Sequence, residues 1–102
     1  MHQGKAVDVV IAGSGIAGLT SALSAQEARA RVLVLEKAPE TGGTSAVSGG
    51  MVWCAADLDA WLEVQPGGDP EMGWALIENF FEGIEWLRGQ GVALEDFGDY
   101  AP

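Results

Sequence analysis

Ala6–Ala12 (AVDVVIA) is a Val-rich apolar run with one acid, closed by glycine. That is the pattern of a parallel strand buried on both faces. Ile16–Ala30 is small and Ala-rich, and Ile16, Leu19 and Leu23 are spaced for one face of a helix. Arg31–Leu35 (RVLVL) reads as a second strand, ended by Glu36. A strand, helix and strand of these lengths predict a βαβ unit with a right-handed crossover. Residues 37–50 carry four glycines, one proline and four Ser/Thr, and so read as loop.

The second half is helical in character. Asp57–Val64 is expected as a short helix carrying Leu58, Trp61 and Leu62. Gln65–Asp69 (QPGGD) is a turn, after which Asp69 caps a helix that starts at Pro70. Leu76, Phe80, Ile84 and Leu87, with Ile77 and Phe81 alongside, form a wide apolar stripe. Gly89 or Gly91 is expected to end that helix, and Val92–Leu94 to form a brief strand. The tail from Glu95 to Pro102 shows no pattern.

Charge changes this picture in one respect. The chain has 102 residues and a formal net charge of -10, all of it after Gly50, since residues 1–50 are neutral. An organisational boundary is therefore expected near Gly50, within one folded unit. The charge argues against nucleic acid and against anionic membrane surfaces as partners. No apolar run approaches a membrane span, so membrane insertion is not expected. One cysteine, Cys54, leaves no internal disulfide framework and fits a reducing, cytoplasmic setting.

The chemistry concentrates in two glycine-rich segments. The first, Gly13-Ser14-Gly15-Ile16-Ala17-Gly18, leaves a predicted strand and opens a predicted helix. Glu36 ends the next strand 18 residues later, close to the separation a dinucleotide fingerprint requires. Gly13 permits the tight turn, Gly15 lets a pyrophosphate approach the backbone, and Gly18 lets the helix lie close on the sheet. The helix start, at Ile16 and Ala17, offers amides and a positive dipole end to phosphates. Glu36 is suited to accept both ribose hydroxyls of an adenosine, and its charge disfavours a 2′-phosphate. The second segment is Gly42-Gly43-Thr44-Ser45-Ala46-Val47-Ser48-Gly49-Gly50. It supplies backbone amides and hydroxyls with little bulk, against which a flat ligand or a second face of a pyrophosphate can lie. Taken alone, it also reads as a flexible linker.

Together, DVVIAGSGIAGL and VLVLEKAPETGGTSAVSGG resemble the N-terminal FAD-binding region of the fumarate reductase/succinate dehydrogenase flavoproteins. That family includes 3-ketosteroid Δ1-dehydrogenases. The resemblance is tight over residues 6–52 and looser in GIEWLRGQGV. It implies an α/β, Rossmann-like βαβ core with parallel strands, followed by helices, as an incomplete domain. Residues 1–52 would be part of the FAD-binding domain, and residues 53–102 an acidic helical continuation that begins a second domain. Gly13, Gly15 and Gly18, with Ile16 and Ala17, match positions that hold the FAD pyrophosphate. Glu36 matches the residue on the adenosine ribose, with Lys37 beside it. Gly42, Gly43, Thr44 and Ser45, and then Ser48, Gly49 and Gly50, match segments lining the pyrophosphate and the flavin ring.

Some family members attach flavin through a histidine in this loop. Here the only histidine is His2, so non-covalent FAD is expected. The family's reaction is hydride transfer at a C–C bond of a small-molecule substrate. Its catalytic residues lie beyond the matched span, so none is assigned here. A downstream domain or second subunit is expected to supply them, and these 102 residues alone are expected to hold FAD poorly and not to turn over. Two alternatives remain: an NAD-binding Rossmann dehydrogenase segment, and a non-catalytic truncated or split-subunit chain. Trp53 and Cys54 read as packing residues. Trp74, Phe80, Phe81 and Trp86 read as core, or as a face for partner segments. No cluster has metal-ligand spacing.

Overall fold

A computed structural model describes residue 4 and residues 6–98; His2 and the last four residues of the tail lie outside the described set. The chain forms two compact units, Met1–Met51 and Val52–Pro102.

In the first unit, β1 (Val9–Ala12), α1 (Ile16–Glu27) and β2 (Val32–Leu35) follow in order, and then a 3₁₀ helix spans Gly43–Val47. The two strands pair in parallel, with Val9 opposite Val32 and Ala12 opposite Leu35. The strands are shorter than the apolar runs that predict them. The ladder starts at an ion pair instead. Arg31 makes a two-pronged contact with Asp8, Nε to Oδ2 at 3.1 Å and Nη2 to Oδ1 at 3.0 Å. The Arg31 carbonyl accepts from the amides of Asp8 and Val9.

The face of α1 that meets the strands is not the one its larger side chains suggest. Ile16, Leu19 and Leu23 are exposed. Half-buried Gly18, Ala22 and Ala25 recur at helical spacing along the other side. A Cβ on Gly18 would stand 2.0 Å from the Gly13 carbonyl oxygen and 3.4 Å from Ile11 Cγ2. Small residues permit this close approach, and backbone proximity leaves no room for leucine there. On the sheet, Val9, Ile11, Val32 and Val34 are half-buried, while Val10, Leu33 and Leu35 on the other face are exposed. The strands are therefore covered on one face only among the described residues.

The second unit holds α2 (Leu58–Val64) and α3 (Pro70–Gly89). Asp57 Oδ1 accepts from the Ala60 amide at 2.8 Å, and Asp69 Oδ1 from the Glu71 amide at 2.9 Å, with Pro70 in the first turn. The Trp61 ring lies over the backbone at Gly68 and Gly73, joining the two helices. Phe80 and Trp86 are half-buried, and Trp74 and Phe81 are exposed. Phe80 and Phe81 meet edge to face at 5.5 Å. Among the described residues no helix is long and apolar enough to cross a membrane.

The two longer helices end in the same way with different residues. After α3, the Val92 amide donates to the Leu87 carbonyl and the Gly91 amide to that of Arg88, with Gly91 at φ +89°. This is a Schellman motif, with glycine in the left-handed position. It also explains why Val92–Leu94 forms no strand: the Val92 amide is committed to the helix end. After α1, the Ala30 amide donates to the Ala25 carbonyl and the Arg29 amide to that of Gln26, with Arg29 at φ +64°. The same motif here is closed by a non-glycine residue. The sequence pattern runs α1 on to Ala30 because no glycine marks its stop.

A left-handed backbone costs an ordinary side chain about 1–2 kcal/mol. Arg29→Gly should therefore stabilise the chain, by roughly 0.5–1 kcal/mol after the added flexibility of the unfolded state is allowed for. Urea unfolding measures this, and no rise in midpoint would contradict the assigned helix end.

Candidate functional site

The site is built where the two strands of the first unit end. Gly13, at φ +103°, leaves β1 and donates its amide to the Leu35 carbonyl at 2.7 Å, so the ladder extends one step into the turn. Ser14 follows, and is only 1% exposed. Gly15 is the N-cap of α1, with no side-chain cap of its own.

Ser14 joins three segments. Its Oγ–H donates to Glu36 Oε1 at 2.5 Å, and its amide donates to the same oxygen at 3.2 Å. The Gly42 amide donates to Ser14 Oγ at 3.0 Å. Glu36 Oε2 accepts from the Ala38 amide at 3.0 Å. These donors, the Ser14 hydroxyl first, hold the Glu36 carboxyl well below its ordinary range, at about 2. The Glu36 charge is thus met by neutral N–H and O–H groups.

The second glycine segment lies against the first. Gly42, at φ +113°, opens the 3₁₀ helix, and the backbone of Gly15 lies 3.6–3.7 Å from where a Gly43 Cβ would stand. Ser45 Oγ accepts from the Ile16 amide at 3.0 Å, so one amide of the α1 first turn is taken. Among the described residues none accepts from the amides of Ala17 and Gly18, which have no partner within the helix. No acidic side chain stands in that first turn.

The structure therefore brings Gly13, Gly15, Ile16, Gly18, Glu36, Gly42, Gly43 and Ser45 together, along with Ala17. Ser48, Gly49 and Gly50 form a turn of their own, in which Ser48 Oγ accepts from the Gly50 amide at 3.1 Å. Thr44 and Lys37 are exposed. The motif reading passes over Ser14, since it stands at a variable position of the fingerprint. The only trace of its role in the sequence is a small hydroxyl residue where the turn is tightest. In the second unit, Cys54 is half-buried, burial pushes its thiol pKa up, and Trp53 is exposed. Among the described residues no group of three or more His, Cys, Asp or Glu is placed to hold a metal ion.

Comparison with known proteins gives a consistent picture. The FAD binding domain family matches residues 8–98. A 4-oxocyclohexanecarboxylate 2-dehydrogenase of Sinomonas cyclohexanicum is 58% identical over 53 residues, covering 52% of this chain and 9% of that protein. An NADH:fumarate oxidoreductase of Klebsiella pneumoniae is 34% identical over 108 residues, covering 90% of this chain and 12% of that protein. A 3-oxosteroid 1-dehydrogenase of Mycolicibacterium smegmatis is 50% identical over 50 residues, covering 49% of this chain and 9% of that protein. The chain thus spans between 9% and 12% of the length of these three relatives. No solved structure gives a significant match.

The Glu36 network sets a pH dependence. Its folded pKa is depressed, so its contribution to stability is complete above the ordinary value of 4.5 and fades as pH falls toward about 2. Asp8, also depressed by Arg31, loses its contribution in acid as well. Glu36→Gln removes only the Glu36 part. Urea unfolding at a series of pH values between 7 and 2 should show a shallower acid loss in Glu36→Gln than in the wild type. Parallel curves would show that Glu36 is not held as described.

Proposed function

The chain belongs to the FAD binding domain family, and from that premise we propose that its first unit binds and orients FAD for a flavin-dependent oxidoreductase. The observation that carries this reading is the meeting of two glycine-rich segments and one carboxylate at the N-terminus of α1.

The three fingerprint glycines test the fit. Gly13 answers to its left-handed backbone, and Gly18 to the Gly13 carbonyl oxygen, which would stand 2.0 Å from a Cβ there. A Cβ on Gly15 would meet only Ser45 Oγ at 3.8 Å and the Gly42 carbonyl at 3.9 Å, which are ordinary contacts. Neither packing nor backbone geometry within the protein demands glycine at Gly15. A pyrophosphate approaching the backbone does, so the residues present suit the cofactor.

In this reading the amides of Ala17 and Gly18, with Gly15, face the pyrophosphate, and Glu36 takes the adenosine ribose. Gly42, Gly43, Thr44 and Ser45 line the pyrophosphate, and Ser48, Gly49 and Gly50 extend toward the flavin ring, with Lys37 beside Glu36 at the ribose. FAD supplies the hydride chemistry, and the protein supplies binding, orientation and electrostatics. We place the reaction at a C–C bond of a small-molecule substrate, as the names of the relatives suggest, with acid–base residues outside the matched span. A downstream domain or second subunit would supply them. The single cysteine suits a cytoplasmic setting.

The flavin is held without a covalent bond, because the segment 37–50 offers no His, Cys or Tyr. Acid precipitation of the intact gene product should leave the yellow colour in the supernatant. Titration should show FAD preferred over NAD, with Glu36→Ala weakening FAD roughly tenfold or more through the lost charge-assisted hydrogen bond. Equal affinity with and without Glu36 would sink the ribose assignment, and flavin in the pellet would overturn the non-covalent one.

A further inference from the structure

Ser14 holds a place that pyrophosphate binding alone does not explain. Its hydroxyl donates to Glu36 and accepts from Gly42, with the side chain sealed from solvent. A hydroxyl has one donor, so the bond to Glu36 fixes the O–H direction and aims a lone pair at the Gly42 amide. Among the described residues no hydrogen bond joins Glu36 directly to residues 42–50; the connection runs through Ser14.

The geometry points to Ser14 as a positioning residue that relays between Glu36 and the Gly42–Ser45 segment. A ligand hydroxyl on Glu36 is then felt at the second glycine segment, and a ligand on that segment is felt at Glu36. This rests on the assignment of Glu36 to the ribose given above. Bonds in series polarise one another, and coupling between two sites is reciprocal. The relay also limits how Glu36 is used. A carboxylate offers about four acceptor positions. Ser14 fills two on Oε1 and Ala38 one on Oε2. The Lys37 amide is also directed at this carboxylate, so a ribose hydroxyl on Glu36 competes with the protein's own donors. A ligand hydroxyl that takes the place of the Ser14 O–H on Glu36 breaks the link between the carboxylate and the Gly42 segment.

Hydrogen exchange at the Gly42 amide, read by NMR on the full chain at neutral pH, tests the relay. Ser14→Ala should speed Gly42 exchange about tenfold or more. Glu36→Gln keeps the side-chain shape but removes its charge. It should speed Gly42 exchange by a smaller factor, although Glu36 does not touch Gly42. The double variant should exchange like Ser14→Ala alone. The Ile11 amide serves as a control for general loosening, and should not follow Gly42. If Ser14→Ala does not fold, Glu36→Gln decides by itself. Unchanged Gly42 exchange in Glu36→Gln, or additive effects in the double variant, would overturn the relay. FAD titration of the intact gene product, wild type and variants, separates the two readings. Coupled Gly42 exchange without FAD binding overturns the ribose assignment and leaves the relay. FAD binding with Gly42 uncoupled from Glu36 overturns the relay and leaves the ribose assignment.

Discussion

One buried hydroxyl constrains the first unit more than any apolar contact does. Ser14 is fully enclosed, and a buried polar group that loses its partners carries the full cost of desolvation. Its partners lie 22 and 28 residues away along the chain, at Glu36 and Gly42. Satisfying one side chain therefore fixes where β2 must end and where the second glycine segment must return. Apolar packing cannot do this here, because the one buried hydrophobic residue among those described, Ala55, belongs to the other unit.

How much of this could be read from the sequence follows from the range of each interaction. The strands, α1 and the caps at Asp57 and Asp69 depend on neighbours within a few residues, and their patterns are visible. The glycine fingerprint is equally local. Ser14 is not, since its partners are distant and its own position tolerates many residues. The packed face of α1 is hidden from the sequence for a different reason. Ile16, Leu19 and Leu23 carry the hydrophobicity, but the Gly18 backbone lies so close to Gly13 that only small residues fit on that side. Arg29 conceals a helix end because neither glycine nor asparagine, the usual markers of a left-handed residue, stands there, and the structure reaches that conformation without them.

The exposed faces have a physical consequence of their own. Among the described residues, β1 and β2 pair only with each other, and Val10, Leu33 and Leu35 stand bare on one side. Two parallel strands covered on one face leave both edges open, and open edges and apolar faces favour association. The buried polar junction at Ser14 stands at one end of this sheet, and the exposed Asp8–Arg31 ion pair, which contributes less, at the other.

Charge placement completes the physical case for an anionic ligand at this junction. Residues 1–50 are neutral, although the chain as a whole carries -10. Within the first unit, Asp8 is matched by Arg31 at the opposite end of the strands from the glycine turn. Glu36 is the acid at the turn itself, and its charge is spread over donors from Ser14 and Ala38. The first turn of α1 carries no acid to oppose its dipole. Under the FAD reading proposed above, the carboxylate serves hydroxyl recognition and the helix amides beside it serve a pyrophosphate. The carboxylate does not repel the phosphates strongly because the protein's own donors have already engaged it. The same donors keep Glu36 ionised well into the acid range, so it stays a hydrogen-bond acceptor below the pH at which an ordinary glutamate takes up a proton.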